Sequence, residues 1–356
     1  MAGSMEQALR LKRAAAAARL GLAAAFALAA AAPASAADLL LDHRSGFVIP
    51  IEVNGHTLRL RVDPGANGVI VLNPEAAQRV GLRDLPVDRD LARALSPGRR
   101  REEPPAGRSL SEVPSGPAEA TRVRTEGGEA TPFIQLGPLL ARGRFGRAEA
   151  RIGGQAGTRI FAWFAQPAVD GVDGLISPGE LPYDSVTFRW ADGRPRERSF
   201  AFRGQFSPLA GFSMPVRVDA HLVNVKFSVA EPASVATAAA GSVIARDYRG
   251  GWAGEVRRHH IALSVLRPVR PLALGRAFPV GGMPVSRFLV RIRDHGGNMQ
   301  LPSDVIADQD EIVVTAPGAA QPVRFLLVLG QDQFTGCSSL TYHRRSVRLV
   351  ARCPAA

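Results

Sequence analysis

The 356-residue sequence predicts an all-β protein built from two related halves. Short runs of alternating apolar and polar residues recur along the chain and are separated by Gly, Pro, Asn or Asp, which is the pattern of strands joined by turns. After residue 36, no amphipathic helical stripe longer than about ten residues is present. A stretch near residue 50 is repeated near residue 215. These observations favour two lobes that descend from one ancestral unit.

The first 36 residues have the composition of a secretory signal peptide. Basic residues precede an apolar run at positions 20–32, and positions 34–36 supply small side chains for cleavage. The run is shorter than the roughly 20 residues that a membrane-spanning helix needs, and no later stretch reaches that length. We therefore expect an exported, periplasmic protein whose mature chain begins near Ala37 and has no transmembrane segment. An uncleaved anchor is the alternative.

The mature chain is longer than most single domains. Hydrophobic residues make up 46% of the sequence, which is enough for a sizeable core. We predict an N-terminal lobe at residues 37–204 and a C-terminal lobe at residues 205–356. Between about 95 and 130 the composition shifts to Pro, Gly, Ser, Glu and Arg, which predicts a mobile insertion in the first lobe.

The formal net charge of +12 does not indicate a nucleic-acid partner. Such partners need basic residues gathered on one surface, whereas the one basic triplet, at 99–101, is followed at once by Glu102 and Glu103. The sequence has no phosphate-binding loop, dinucleotide fingerprint or Gly-x-Ser-x-Gly elbow. His259 and His260 are adjacent, so on a strand they would point to opposite faces rather than bind one ion. We predict no cofactor and no metal.

Both cysteines, Cys337 and Cys353, lie near the C-terminus on either side of a strand-like segment at 346–350. In an exported protein an isolated pair favours a disulfide. Cys-x-x-Cys spacing, which would indicate a redox role, is absent. We predict that the two residues are bonded to each other.

Strand patterns dominate the rest of the chain, and one helix is clear. The helix is predicted at residues 74–80, with Asn73 as its N-cap, Pro74 at its first position and Gly81 as its stop. The main strand predictions are residues 47–53, 58–62, 186–190, 215–229, 288–292, 311–315 and 325–329.

The internal repeat aligns residues 50–63 with residues 215–228 at a constant offset of 165. Proline, an alternating strand, a turn, a histidine and a second alternating strand coincide, so each copy predicts a hairpin. We expect the second strand of each hairpin to deliver one residue to a site, and the residues at this aligned position are Asp63 and Ser228. A helix-like stretch of small residues follows each copy.

A second pair of similar segments lies near the end of each half. An apolar and glycine-containing segment at 172–178 is matched by one at 327–334, with Gly174 and Gly330 as predicted counterparts. Each segment is followed by a strand. Each segment and the strand after it therefore predict where the corresponding half ends.

This order of motifs resembles the aspartic peptidases, with the first half closest to their retropepsin-like bacterial branch. The resemblance rests on the strand that ends in Asp63, Pro64, Gly65, Ala66 and Asn67, on the short helix, and on the hydrophobic segment that closes each half. It implies a bilobal acid-protease-like double barrel that takes a peptide or an unfolded protein segment. It also implies that Asp63 is a catalytic acid/base that polarises a water.

Two departures from that family bear on catalysis. The family needs two carboxylates that share a proton, but the counterpart of Asp63 is Ser228. Pro64 stands where the family has a hydroxyl residue that braces the two loops, and proline has neither a hydroxyl nor a backbone N–H. Asp294, in a second strand–Asp–x–Gly pattern, is a weak candidate for the second acid, and a hairpin turn is the alternative reading. A homodimer that pairs two copies of Asp63 is a third arrangement.

The sequence thus leaves several functional hypotheses open. The protein hydrolyses peptide bonds through an Asp63-activated water, or it is an inactive peptidase homologue that binds extended peptides between its lobes. A structural or assembly role at the cell envelope is a third hypothesis. Gly153 and Gly154 form either the tip of a flap over the substrate or an ordinary turn.

Overall fold

The computed structural model describes residues 38–85, 122–126, 129–136, 139–207, 210–292 and 324–355. The predicted leader, most of the predicted insertion, the predicted strand at 311–315 and the candidate Asp294 lie outside these ranges.

Strands make up most of the described chain. In the first half they are β1 (Asp38–Asp42), β2 (Val48–Val53), β3 (His56–Val62), β4 (Ile70–Leu72), β5 (Arg122–Glu126), β6 (Glu129–Leu136), β7 (Leu139–Ile152), β8 (Gln155–Phe164), β9 (Gly174–Ile176), β10 (Ser185–Arg189) and β11 (Glu197–Arg203). In the second half they are β12 (Gln205–Ser207), β13 (Gly211–Val218), β14 (His221–Phe227), β15 (Val235–Ala236), β16 (Gly250–Trp252), β17 (Arg257–Ile261), β18 (Val265–Val280), β19 (Met283–Arg291), β20 (Leu326–Leu329), β21 (Ser339–His343) and β22 (Arg348–Pro354).

Two short α-helices accompany the strands of the described chain, α1 (Pro74–Arg79) and α2 (Ala238–Asp247). The first confirms the predicted helix, although the Asn73 side chain does not cap it and instead binds backbone groups of Ala168 and Val169. The second follows the second hairpin, as the repeat predicts. Neither helix is long and apolar enough to cross a membrane.

The strands form three sheets that together make the fold all-β, bilobal and acid-protease-like. An eight-stranded sheet, in the order β2-β3-β9-β4-β8-β7-β6-β5, belongs to the first half. A nine-stranded sheet, β12-β13-β14-β20-β15-β19-β18-β16 with β17 beside β18, belongs to the second. The five-stranded sheet β1-β10-β21-β22-β11 draws strands from both halves, so it ties them into one body.

The two halves repeat one strand pattern around the hairpins. In the first half β3 pairs in parallel with β9, and β9 pairs in antiparallel fashion with β4. In the second half β14 pairs in parallel with β20, and β20 pairs in antiparallel fashion with β15. The backbone N–H of Asp63 donates to Ile176 O, and that of Ser228 donates to Leu329 O, both at 2.9 Å. The hairpin correspondence read from the sequence is therefore also a structural one.

The closing segments match in a different register from the one that the sequence predicts. Because Ile176 and Leu329 occupy equivalent places, the counterpart of Gly330 is Ser177 rather than Gly174. Ser177 and Gly330 each precede a single 3-10 turn, which supports this alignment. The prediction that Gly174 and Gly330 correspond was wrong because it matched glycines, whereas hydrogen-bonded register decides equivalence.

The end of the predicted insertion contains strands. β5 and β6 pair in antiparallel fashion, and β6 pairs with β7, which extends the eight-stranded sheet. Ile134 on β6 is buried and packs in a small apolar cluster with Val71 and Leu289, one residue from each half. This part of the chain thus reaches the junction of the two halves.

Cys337 and Cys353 form the predicted disulfide. Cys353 lies on β22, and Cys337 lies two residues before β21, so the bond closes the hairpin that completes the five-stranded sheet. Both cysteines are buried.

Replacing both cysteines by alanine should destabilise the protein by about 3 kcal/mol, because a loop of about 15 residues gains that much chain entropy in the unfolded state. Urea unfolding of the double variant, compared with the oxidised wild type, measures the loss. The reduced wild type is the matched control and should lose a similar amount. Equal stability of all three would show that the bond does not constrain the unfolded chain.

Candidate functional site

The two hairpins bring Asp63 and Ser228 together, although the residues are 165 positions apart. Each follows directly on a strand whose alternate side chains enter the core, at the ends of β3 and β14. The Ser228 hydroxyl lies 3.1 Å from Asp63 Oδ2 and donates to it. The structure therefore places a serine against the carboxylate where the aspartic-peptidase pattern requires a second acid.

The Asp63 carboxylate is bound on both oxygens by the second half. Oδ2 accepts from Ser228 Oγ, and Oδ1 accepts from the backbone N–H of Val229 at 2.6 Å. Ser228 Oγ itself accepts from the N–H groups of Ala230 and Glu231, at 3.2 and 3.0 Å. With two donors pointing at it, the hydroxyl is left to give its own hydrogen to Asp63. The brace between the loops, which Pro64 cannot supply, is thus provided by Asp63.

Burial raises the pKa of Asp63 above its usual value, because the charged form loses its hydration. The Val229 N–H, the Ser228 hydroxyl and the Lys226 ammonium act in the opposite direction and lower the pKa, since each favours the anion. Burial is the largest of these causes. The carboxyl is consequently easier to protonate than an exposed aspartic acid.

The loop after Asp63 approaches the second half very closely. A Cβ on Gly65 would lie 2.9 Å from the carbonyl oxygen of Phe227, so glycine is needed for this approach. The Pro64 carbonyl accepts from the Phe212 N–H at 3.3 Å. Gly211 has a φ of +68° and sits against the Ala66 carbonyl oxygen, where a Cβ would be 1.9 Å away. The predicted loop residues therefore hold the halves together.

A cavity of about 410 Å³ opens beside Asp63 and Ser228. It is lined by both halves, including Gly65, Ala66 and Asn67 from the first loop. This volume lies within the range of small-ligand and peptide side-chain sites.

Both basic and acidic side chains line the cavity. Arg61 and Lys226 both line it, and the hairpin repeat makes them equivalent, each two residues before Asp63 or Ser228. β17 contributes Arg258, His259 and His260 to the wall. The acids on the wall are Asp63, Asp170 and Glu231.

Burial lowers the pKa of His259, and the neighbouring Arg257 and His260 lower it further. The charge of Asp332 raises it by a smaller amount. The imidazole of His259 is therefore neutral near pH 7.

The remaining predicted site features are Asp294 and the turn at Gly153 and Gly154. Asp294 lies outside the described residues, so its candidacy stays a prediction. The turn at Gly153 and Gly154 joins β7 to β8 with φ values of +54° and +80°, and Gly153 packs against Tyr183 and Pro182. That turn does not line the cavity, which agrees with the ordinary-turn reading.

Sequence reasoning missed the wall that β17 and the following turn contribute. Leu263 and Ser264 line the cavity and have left-handed φ values of 58° and 52°, which non-glycine residues rarely adopt. Nothing in their residue types signals that conformation. The pairing of Arg61 with Lys226 was available, because both fall within the aligned repeat.

Comparison with known proteins returns remote structural likenesses. No family model and no curated protein matches the chain. The EIAV protease complexed with the inhibitor HBY-793 is 9% identical, with a TM-score of 0.19, covering 36% of this chain and 79% of that chain. Basic 7S globulin from soybean is 10% identical, with a TM-score of 0.32, covering 86% of this chain and 90% of that chain. Scores and identities this low carry no conclusion about activity.

Proposed function

We propose that the protein binds an extended peptide or an unfolded protein segment between its two halves and does not cleave it by the paired-acid route. The observation that carries the proposal is the Ser228 hydroxyl, 3.1 Å from the Asp63 carboxylate. Paired-acid hydrolysis needs one carboxylate as base and a second carboxyl as acid. Serine, with a hydroxyl that does not ionise near neutral pH, supplies neither.

The hydrogen bonds of Asp63 support the same proposal. Its two oxygens already accept from Val229 N–H and Ser228 O–H, so the carboxylate is engaged in joining the halves. A catalytic aspartate must instead hold and activate a water. The geometry suits a structural brace at the floor of a binding cleft.

An edge strand beside the cavity supports peptide binding by strand addition. Among the described strands, β17 pairs with β18 alone. Its residues Arg258–Ile261 line the cavity, and no second strand of the described chain pairs with it there. Backbone groups on such an edge can pair with an extended peptide while the cavity takes one of its side chains.

An exported location belongs to the same proposal. The leader-like sequence before Ala37 supports it, as does the disulfide between Cys337 and Cys353, since such bonds persist in oxidising compartments. Mass spectrometry of the N-terminus of the purified protein should find a chain that begins near Ala37.

Incubation with a reduced, unfolded protein between pH 3 and pH 7 tests the functional proposal. We expect the unfolded protein to be retained in a pull-down and recovered intact, with no new N-termini by mass spectrometry. Folded, disulfide-bonded substrate is the matched control and should not be retained, because it offers no extended segment.

Acid-optimum cleavage that disappears in Asp63→Asn would overturn this proposal and support hydrolysis through an Asp63-activated water. Cleavage that persists in Asp63→Asn would indicate a contaminating peptidase, and repeating the assay after removing it decides between retention and hydrolysis. Failure to retain any unfolded protein would also contradict the proposal.

A further inference from the structure

The peptide bond between Asp63 and Pro64 lies at the centre of the site, and it is the one Asp–Pro bond in the sequence. Both residues are buried. Asp–Pro bonds are especially labile in acid, because the aspartate carboxyl can reach its own backbone carbonyl carbon. The proline nitrogen, a tertiary amide nitrogen without an N–H, also accepts a proton and leaves readily. The chain thus carries a chemically weak bond at this position.

Scission at such a bond needs no reactant besides water and a proton. A carboxyl oxygen of Asp63 attacks the backbone carbonyl carbon of the same residue and closes a cyclic anhydride. The C–N bond to Pro64 breaks as solvent delivers a proton to the proline nitrogen, which leaves as a secondary amine. One water then opens the anhydride. The products are a chain that ends at Asp63 and a chain that begins with Pro64.

The folded structure holds the groups that this reaction uses. Asp63 Oδ1 accepts from the Val229 N–H at 2.6 Å, and Oδ2 accepts from Ser228 Oγ at 3.1 Å, so the second half fixes the orientation of the carboxyl. The backbone carbonyl oxygen of Asp63 accepts from the Ala66 N–H at 3.0 Å. Attack on its own carbonyl carbon would pull the carboxyl away from the donors of the second half, so these hydrogen bonds oppose it.

We propose that the Asp63–Pro64 bond is a self-cleavage site, which the hydrogen bonds from Ser228 and Val229 protect while the two halves stay together. Opening of the halves releases the carboxyl and admits water, and the chain then cuts itself in acid. The inference is independent of what the cavity binds. It gives the Ser228 hydroxyl a second role, because the group that joins the halves also keeps the chain intact.

Other charged and titratable groups line the cavity beside Asp63. They are Arg61 from its own strand, Asp170 from the first half, Lys226 and Glu231 from the second half, and Arg258, His259 and His260 on β17. Acid protonates the carboxylates and the imidazoles among them, which makes the wall more positive. A more positive wall favours the anionic form of Asp63, the form that attacks, so acidification of these groups does not remove the nucleophile.

The experiment follows the purified protein alone at pH 4 by intact-mass measurement. Each sample is denatured first, because β1, β2 and β3 pair with β10, β7 and β9 and would hold a cut fragment in place. We expect a chain that begins with Pro64 to form quickly from urea-unfolded wild type and slowly from the folded protein. Asp63→Asn should not form it, because the amide cannot act as the nucleophile. Ser228→Ala should form it about tenfold faster than folded wild type, the factor for one lost hydrogen bond to a charged group.

The matched control is the double variant Cys337→Ala and Cys353→Ala, which loses the disulfide but keeps the hydrogen bonds of Asp63. Urea unfolding at the same pH measures the global stability of both variants. After correction for stability, Ser228→Ala should cut faster than the double variant, because it releases the carboxyl locally. Ser228→Thr keeps the hydroxyl and should cut as slowly as the wild type.

Equal corrected rates in Ser228→Ala and the disulfide variant would overturn the inference, because folding alone would then protect the bond. A chain that begins with Pro64 in Asp63→Asn, a rate that rises with protein concentration, or no such chain from unfolded wild type would overturn it as well. If Ser228→Ala does not fold, wild type in increasing urea supplies the comparison. Cutting that begins below the global unfolding transition supports opening at these hydrogen bonds, and cutting that follows the transition rejects it.

Discussion

Gly174→Ala should destabilise the protein by about 3 kcal/mol or more, because the new methyl group has no space. Gly174 begins β9, which lies between β3 and β4. A Cβ there would be 2.2 Å from the Val71 carbonyl oxygen and 2.9 Å from the Leu72 Cα. Both are backbone atoms, so β4 must move away from β9. Urea unfolding of the purified variant measures the loss.

Gly157→Ala is the matched control for this substitution. Gly157 is also a strand glycine, on β8, but a Cβ there would meet nothing within 4 Å. Its replacement should leave stability unchanged or raise it by up to about 1 kcal/mol, because alanine has less freedom in the unfolded chain. Similar losses in the two variants would mean that strand entropy, rather than the contact with Val71, explains the need for glycine.

The repeat is the part of the fold that the sequence predicted best. Proline, turn and alternating strands align residue by residue over 14 positions, and hydrogen bonding in the structure joins Asp63 to Ser228 at that same offset. The alternation of apolar and polar residues fixes which side chains enter the core. Only one register therefore places the apolar side chains of both strands of a hairpin on the core face. Residue identity alone failed for Gly174, because glycine is required for close approach at many unrelated places.

The walls of the site were harder to predict. Arg258–Ile261 reach the cavity only because β17 pairs with β18 and the chain reverses through Leu263 and Ser264. That pairing depends on tertiary context, and β-branched or aromatic residues do not mark it. Asp63 itself was found as a candidate, but its role as a brace depends on Val229, a backbone donor that no side-chain motif reveals.

Ser228→Ala should destabilise the protein by about 2–4 kcal/mol at pH 7, since the hydroxyl serves one buried and two partly buried hydrogen bonds. The variant leaves Asp63 Oδ2 without its donor and leaves the N–H groups of Ala230 and Glu231 without their acceptor. Ser228→Thr is the matched control, because it keeps the hydroxyl. Unfolding in urea at pH 4 and pH 7 measures both variants against the wild type.

The loss in Ser228→Ala should also grow with pH, and the sign follows from Asp63. Burial holds the pKa of Asp63 in the folded protein above 3.8, its value without burial. The folded state therefore binds the proton more tightly, so this group's contribution to stability is present below pH 3.8 and is lost as the pH rises through the folded pKa. The Ser228 hydroxyl lowers that pKa, and removing it raises the pKa further. Near pH 4 the loss should thus approach the cost of the two unpaired N–H groups alone.

A double substitution isolates the contribution of Asp63 to this pH dependence. Asp63→Asn cannot ionise, so in that background Ser228→Ala should cost the same at pH 4 and pH 7. If the pH dependence remains in the Asp63→Asn background, another group causes it, and the bond between Ser228 and Asp63 does not control the stability of the junction. If the pH dependence disappears, ionisation of Asp63 changes the stability of the protein through its hydrogen bond with the Ser228 hydroxyl of the opposite half.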